Sequence, residues 1–346
     1  MANHFKISNI HIGDNFPPVV ISEIGINHNG SLDFAIQLCD SAIKAGAKII
    51  KHQTHIADKE MSIEAKKIVP GNSKKNIYNI IKSCQLSYDD ELKMAKFVRQ
   101  RKAIYISSPF SREAVDRLCS IKVPAFKIGS GECNNYPLVE YICKKKKPII
   151  LSTGMNDIRS IKKTVNIIRK YKLPYALMHC TNIYPTPNKL VRLNCLNDLK
   201  KNFSDAVIGL SDHTTSNYSC YAAVALGARI IEKHYIDKKS RIGPDVSCSM
   251  DQLELQQMID GTKAIFDSMQ GKKKSLNEEK KTINFAFASI AATKNIKIGE
   301  KITKANIFPL RPATGYFKVK DYEKILGKVA KNNIKKNYQL KFSDIY

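Results

Sequence analysis

Residues 19–51 read VVISEIGINHNGSLDFAIQLCDSAIKAGAKIIK. A short apolar run, Val19 to Ile24, leads into a stretch where Leu32, Ala35, Ile36, Cys39, Ala42 and Ile43 fall on one helical face; a second apolar run, Ala47 to Lys51, follows. Ser31 has the side chain to cap that helix, and Gly46 can end it in the left-handed conformation. The unit is strand, helix, strand, with no tight hairpin turn between the strands. Further runs at Ala103 to Ser107, Ala125 to Ile128, Pro148 to Ser152, Tyr175 to His179, Ala206 to Leu210 and Ala228 to Lys233 bring the total to eight, and no hairpin signal appears until late in the chain. Ser87, followed by Asp89, Asp90 and Glu91, starts another helix with acids at its positive end. Ser249 and Gln252 have capping-box spacing ahead of a helix from Leu253 to Met269. Eight alternations over about 250 residues predict a (β/α)8 TIM barrel. The competing doubly wound sheet lacks support, because no G-x-G-x-x-G follows the first strand.

From Gly271 the pattern breaks into a charged linker, read as residues 271–283, and then short β elements with Gly and Pro punctuation at Ala286 to Ala292, Ile296 to Gly299, Ile302 to Thr303 and Ile307 to Leu310. The expected division is a barrel over 1–270 and a small β-rich domain over 284–346. A segment of this size without a long helix is marginal alone.

The 346 residues carry 57 Lys+Arg against 31 Asp+Glu, a net charge of +26, of which +12 falls in residues 271–346. Only ten of the basic residues are Arg, the wrong bias for base readout, and no nucleic-acid motif is present. A Lys-rich surface that aids solubility and attracts anionic ligands accounts for the excess; a basic nucleic-acid-binding module is the non-enzyme alternative. No apolar run approaches the roughly 18 residues of a membrane span, and Met1 to Asn15 lacks the apolar core of a signal peptide. Nine cysteines stand singly, without C-x-x-C, as expected of reduced thiols in the cytoplasm. The sequons at Asn202 and Asn217 are chance matches on this reading.

In a barrel of this kind, functional side chains gather at the strand C-termini. Those positions hold Glu23, Lys51 with Gln53, Ser108, Lys127 with Ser130 and Glu132, Ser152 with Thr153, His179 with Asn182, Ser211 with Asp212 and His213, and Glu232 with His234. Six of the eight histidines (His28, His52, His55, His179, His213, His234) lie at or just past a strand end. Adjacent strands are about 5 Å apart, so His213 and His234 can reach one divalent ion that keeps open positions for Lewis-acid work; alternatively each hydrogen-bonds within the rim. Lys51 and Lys127 end apolar runs, where a charge is costly unless paired. With Ser108, Ser130, Ser152 and Ser211 they describe a site for a small multiply charged anion such as a phosphate ester, in preference to lysines matched only to Glu23 and Glu132. Glu23 is a general acid/base, a polyol acceptor or a salt-bridge partner.

Longer stretches carry a resemblance: Glu23-Ile-Gly-Ile-Asn-His-Asn-Gly30, Lys51-His-Gln-Thr-His55, Ser107-Ser-Pro-Phe-Ser-Arg112, Lys127-Ile-Gly-Ser-Gly-Glu-Cys-Asn-Asn-Tyr-Pro137, Leu151-Ser-Thr-Gly-Met155, His179-Cys-Thr-Asn-Ile-Tyr-Pro-Thr-Pro187, Gly209-Leu-Ser-Asp-His-Thr214, Gly243-Pro-Asp245, Phe285-Ala-Phe-Ala-Ser289 and Arg311-Pro312. In these the chain closely resembles the bacterial N-acetylneuraminate (sialic acid) synthases. The resemblance implies a TIM barrel followed by a C-terminal antifreeze-like (SAF) domain, and a homodimer in which that domain covers the partner's barrel mouth. It implies condensation of phosphoenolpyruvate with N-acetylmannosamine to give N-acetylneuraminate and phosphate, with a divalent metal, Mn2+ first and Mg2+ or Co2+ as alternatives. By motif, Lys51, Ser108, Lys127, Ser130, Ser152, Asn182 and Ser211 hold phosphoenolpyruvate, and His213 and His234 hold the metal. Glu23, Gln53, Tyr184 and Asp245 address the sugar and the reacting centre, and Arg311 contacts the sugar from the other subunit. Ser108 departs from the threonine of close relatives but keeps the hydroxyl. The enzymatic alternative is a synthase for a related acid such as legionaminic acid, made from a diacetamido hexose; the His52 and His55 context and the Glu132 to Asn135 run look more like the N-acetylmannosamine enzymes.

Overall fold

The computed structural model describes residues 3–70 and 75–346, in two compact units, Met1–Gln270 and Gly271–Tyr346. In the first unit the eight runs are eight parallel strands: β3 (Val19–Gly25), β4 (Ile49–Thr54), β5 (Ile104–Pro109), β6 (Phe126–Ile128), β7 (Ile149–Ser152), β8 (Tyr175–Cys180), β9 (Val207–Asp212) and β10 (Ile230–His234). They follow β1 (His4–Ile7) and β2 (Ile10–Gly13), and they close in chain order, with β10 pairing β3. Sequence periodicity missed β1 and β2. These pair antiparallel as an N-terminal hairpin whose Phe5, Ile7 and Ile12 pack with the interior barrel side chains.

Each strand is buried on both faces, which is why the runs look continuously apolar. Inside the barrel, Val19, Ile21, Ile49, Ile104, Ile106, Ile150, Met178 and Ile230 form one cluster; the intervening residues, Val20, Ile24, Ile50, Tyr105, Leu177 and Ile231, pack in a second cluster with the helices. Gly209 points into that interior without a side chain for a steric reason: Met178 Sδ and the Ile230 carbonyl fill the space that a Cβ would need.

The helix signals hold where the capping side chain bonds as read. Phe34 N donates to Ser31 Oγ (3.2 Å) ahead of Leu32–Lys44, and Asp90 N donates to Ser87 Oγ (3.1 Å) ahead of Tyr88–Gln100. Gly46 adopts φ +98° past the first of these. The capping box before the last barrel helix, Gln252–Ser268, is not Ser249 with Gln252 but Asp251 with Glu254: Glu254 N donates to Asp251 Oδ1 (3.0 Å) and Asp251 N to Glu254 Oε2 (2.9 Å). Ser249 turns elsewhere, donating its hydroxyl to the Asp245 carbonyl at 2.7 Å.

In the second unit, the β reading from Ala286 is corrected at its start. Residues Lys280–Ala286 are helical, and the first strand is β11 (Ser289–Ala292), paired antiparallel with β12 (Ile307–Leu310). The expected elements at Ile296 to Gly299 and Ile302 to Thr303 form no strands; this stretch contributes single bridges, Ile296 to Ile334 and Lys301 to Val329. Ile290, Ile296, Ile302, Ile307, Ile325, Ile334 and Leu340 close a core belonging to this unit alone. Among the described residues no helix is long and apolar enough to cross a membrane, and all nine cysteines are free.

Candidate active site

Strand register builds the site. Glu23 pairs with Lys51 on one side and with His234 on the other; Gln53 pairs with Ser108, and Ser211 with both Cys180 and Glu232. Parallel strands in register, with side chains alternating in and out, bring one layer of polar groups together above the apolar interior. Twelve predicted residues line one cavity of about 210 Å³: Glu23, Lys51, Gln53, Ser108, Lys127, Ser130, Ser152, Asn182, Tyr184, Ser211, His213 and His234. A larger cavity of about 580 Å³ lies beside Phe16, Lys48 and Lys102, at the other end of the barrel, and has none of the buried ion pairs found in the smaller one.

Two lysines and two carboxylates are buried together. Lys51 Nζ lies 2.7 Å from Glu23 Oε2 and 3.6 Å from Glu232 Oε1, and Lys127 Nζ lies 3.2 Å from the same Glu232 oxygen. Lys127 also donates to Ser152 Oγ (2.7 Å), and Ser211 Oγ donates to Glu232 Oε1 (3.3 Å). Burial works against charge on Lys51, yet Glu23 and Glu232 together reverse it and hold the ammonium above its usual value. Lys127 is depressed instead, because burial and the nearby Lys51 outweigh Glu232. Burial alone would raise Glu232; Lys127 and Lys51 overcome it and hold the carboxyl down at about 2. These four charges sum to zero, so the surface excess of +26 does not extend into the cavity.

Glu232, which the sequence placed at a strand end without a role, is the counter-ion that both lysines share. Its neighbour Lys233 is equally buried but faces outward, bonded to Asp212 and to the Thr214 carbonyl. The available signal was parity: Ile230, Glu232 and His234 share one face. Glu132, also at a strand end, is no partner of the lysines. It accepts from Asn135 Nδ2 (2.6 Å) and makes no ion pair with Lys127, and burial pushes its carboxyl up.

The histidines divide by the same parity. His213, His234 and His55 line the cavity. His179 bonds the Val191 carbonyl (2.6 Å), and His28 and His52 meet each other at 3.1 Å in a buried chain with Tyr105 and Glu91. The His213 and His234 rings are 5.4 Å apart, centre to centre, and Tyr184 packs 4.1 Å from His213. His213 Nδ1 donates to the Thr181 carbonyl (2.9 Å), which leaves Nε2 with its lone pair. Burial and then His234 hold His213 down at about 3, so the imidazole is neutral, as a metal ligand must be. His234 Nδ1 and Glu232 Oε2 are buried without hydrogen-bond partners. Among the described residues no three His, Cys, Asp or Glu side chains form a ready-made metal cluster. The free Nε2 of His213 and the unpartnered Nδ1 of His234 are two donors that suit an ion with open positions.

Ser130 and Asn182 converge on Gly154, whose N–H donates to Ser130 Oγ (3.1 Å); a Cβ at 154 would overlap both side chains. Asp245 lies outside the cavity lining. Its Oδ2 approaches His234 Nδ1 at 3.4 Å, and its loop is anchored by Asn27, which accepts from Asp245 N (3.0 Å) and donates to Ser249 Oγ (2.9 Å) and the Tyr235 carbonyl (3.1 Å). Arg311 is exposed in the second unit, just past β12.

A closed parallel barrel with its buried charges and paired imidazoles gathered at the strand C-termini defines a barrel enzyme with its active site at that face. The chain belongs to the NeuB family, whose model matches residues 38–274, and a SAF domain matches residues 287–345. It is 35% identical to the N,N'-diacetyllegionaminic acid synthase of Campylobacter jejuni over 328 residues, covering 92% of this chain and 97% of that one. It is 34% identical to the pseudaminic acid synthase of the same species over 332 residues, covering 94% and 96%. Among solved structures, the N-acetylneuraminic acid synthetase of Leptospira borgpetersenii, crystallised with citrate, superposes with a TM-score of 0.73 at 29% identity, covering 82% of this chain and 96% of that one. The chain is an enzyme of this sialic-acid-synthase type.

Proposed function

We propose that the chain condenses phosphoenolpyruvate with an N-acetylated aminohexose and water, giving a nine-carbon acid and phosphate by C–O cleavage. N-acetylmannosamine is the first candidate sugar, and N-acetylneuraminate the product. The observation that carries the reading is the register that sets Glu23 between Lys51 and His234, with Lys127 and Glu232 across the same cavity. Lys51 and Lys127 take the carboxylate and phosphate, exchanging the shared Glu232 for the substrate's own oxygens, while Lys51 keeps Glu23. Ser108, Ser130, Ser152, Ser211 and Asn182 supply hydroxyl and amide donors around them. Most of the rate gain then comes from holding the new bond's two carbons in line in a preorganised field. Glu23 exchanges a proton with the sugar, and Gln53, Tyr184 and Asp245 orient it. His213 and His234 would hold a divalent ion, Mn2+ by preference, which when bound supplies Lewis-acid polarisation of a carbonyl oxygen.

A homodimer with the C-terminal domain of one copy over the partner's mouth, and Arg311 in contact with the sugar, completes the proposal. Supporting it, the loops after β7, β8 and β10 expose apolar side chains at that face: Met155, Ile183 and Ile242 are 72%, 43% and 89% exposed.

A diacetamido hexose is the second reading, favoured by the 35% identity to the legionaminic acid enzyme. Discrimination between a hydroxyl and an acetamido group depends on pocket shape. Purified protein incubated with phosphoenolpyruvate, Mn2+ and each sugar in turn decides between them by phosphate release. Release with the diacetamido sugar alone overturns the first choice, and release with neither overturns both.

A further inference from the structure

Gln53 and His55 follow each other on the inward face at the end of β4, and both line the cavity. Gln53 Nε2 donates to Glu23 Oε1 at 2.8 Å. That contact fixes the amide's orientation, since the flipped form would set its oxygen against a carboxylate. The Gln53 Oε1 that remains faces His55 Nε2 at 3.2 Å, and His55 Nδ1 lies 2.8 Å from Glu60 Oε1. Both ring nitrogens of His55 thus face oxygen atoms, one of Gln53 and one of Glu60. The ring is stacked on Phe110 (4.2 Å between centres, 11° between planes), and the side chains of His55 and Glu60 are only 5% and 4% exposed.

We propose that Glu60, His55 and Gln53 form a positioning relay that fixes the rotation of the Glu23 carboxylate. The terminal torsion of a glutamate is broad and soft, so one ion pair does not set the plane of its carboxylate. Lys51 holds Oε2 from one side, and Gln53 holds Oε1 from the other. Without His55, the Gln53 amide is tethered only through its nitrogen to Glu23, and turns with that carboxylate instead of fixing its plane. None of the three relay residues needs to touch a reacting atom. The catalytic consequence rests on the function proposed above, in which Glu23 acts on the sugar.

The test compares two replacements. His55→Phe keeps a ring against Phe110 and removes both ring nitrogens, whereas His55→Gln restores an N–H near the Nε2 position. With whichever sugar the wild type accepts, His55→Phe should lower kcat by about 10- to 100-fold, the scale of a misplaced catalytic group, while KM for phosphoenolpyruvate stays within about twofold. His55→Gln should recover most of that loss. The double variant His55→Phe, Gln53→Ala should be no worse than the poorer single variant, because the two residues act through one contact. Additive losses, equal activity of His55→Gln and His55→Phe, or full activity of His55→Phe would each overturn the relay. A readout independent of turnover separates this from failure of the function itself. With selective 15N-glutamine labelling, solvent exchange of the Gln53 side-chain amide should be slow in the wild type and in His55→Gln and fast in His55→Phe. If His55→Phe leaves that exchange slow, the relay is wrong whatever the substrate.

Discussion

Replacement of Glu232 by glutamine tests the electrostatics of the cavity most directly. The carboxylate is 3.2 Å from Lys127 and 3.6 Å from Lys51. At an effective dielectric of about 20, each contact is worth roughly 5 kcal/mol of gross attraction, set against the cost of burying all three charges. Glutamine has nearly the same shape, so packing is preserved and the change isolates the charge. It leaves two buried ammoniums with only Glu23 between them, and loss of one partner from a buried pair costs about 3–5 kcal/mol. For a barrel of this size that corresponds to a fall in Tm of roughly 6–20 °C. Inorganic phosphate should then stabilise the variant more than the wild type, because the anion occupies the place of the lost carboxylate. Thermal melts of both proteins across a phosphate series measure both effects, with circular dichroism as the control for fold. A Tm within about 2 °C of wild type, together with equal phosphate shifts, would refute the argument that Glu232 is the shared counter-ion of the two lysines.

His213→Ala and His234→Ala should each reduce phosphate release by at least about 100-fold, with Tm little changed in metal-free buffer; activity of both variants in a chelator would sink the metal reading. Asn27→Ala should loosen the loop that carries Asp245, costing about 1–3 kcal/mol in urea unfolding and raising KM for the sugar more than KM for phosphoenolpyruvate. Unchanged KM values would show that Asp245 does not depend on Asn27. Burial, then the neighbouring His52 and His55, hold His28 down from 6.5 to about 3. Between those values the unfolded chain binds the extra proton, so stability is lost as pH falls from 6.5 towards 3. His28→Gln should therefore flatten the stability curve between about pH 6 and pH 4 by about 1.4 kcal/mol per pH unit, and equal slopes would contradict a neutral buried His28. Mixing Arg311→Ala with Lys127→Ala should restore activity through heterodimers with one intact composite site, and no recovery after verified subunit exchange would place the arginine in cis or outside the site.

The barrel was legible because its signals are local. Ser31, Gly46 and Ser87 mark helix ends through bonds to their own neighbours in the chain. The N-terminal hairpin was not legible, since Phe5, Ile7 and Ile12 are too few for a period and gain their meaning only against the barrel interior. The capping box slipped by two residues because Ser249 and Asp251 are both competent caps. A long-range bond decides between them, as Asn27, 222 residues away in the chain, donates to Ser249.

The residues available for chemistry were set by the sequence alone: their types, and their positions at strand ends, follow from the alternation of strand and helix. Their facing was not set there. Parity groups Glu232 with His234 and apart from Lys233, and Cys180 apart from His179, but a strand buried on both sides carries no polar alternation to show which of the two sets turns inward. Closure of the sheet and its register send Glu232, His213 and His234 into the cavity and Lys233, His52 and His179 out to the helices. The sequence supplied the two lysines; only the tertiary structure brought a second glutamate between them and made the site neutral before substrate arrives.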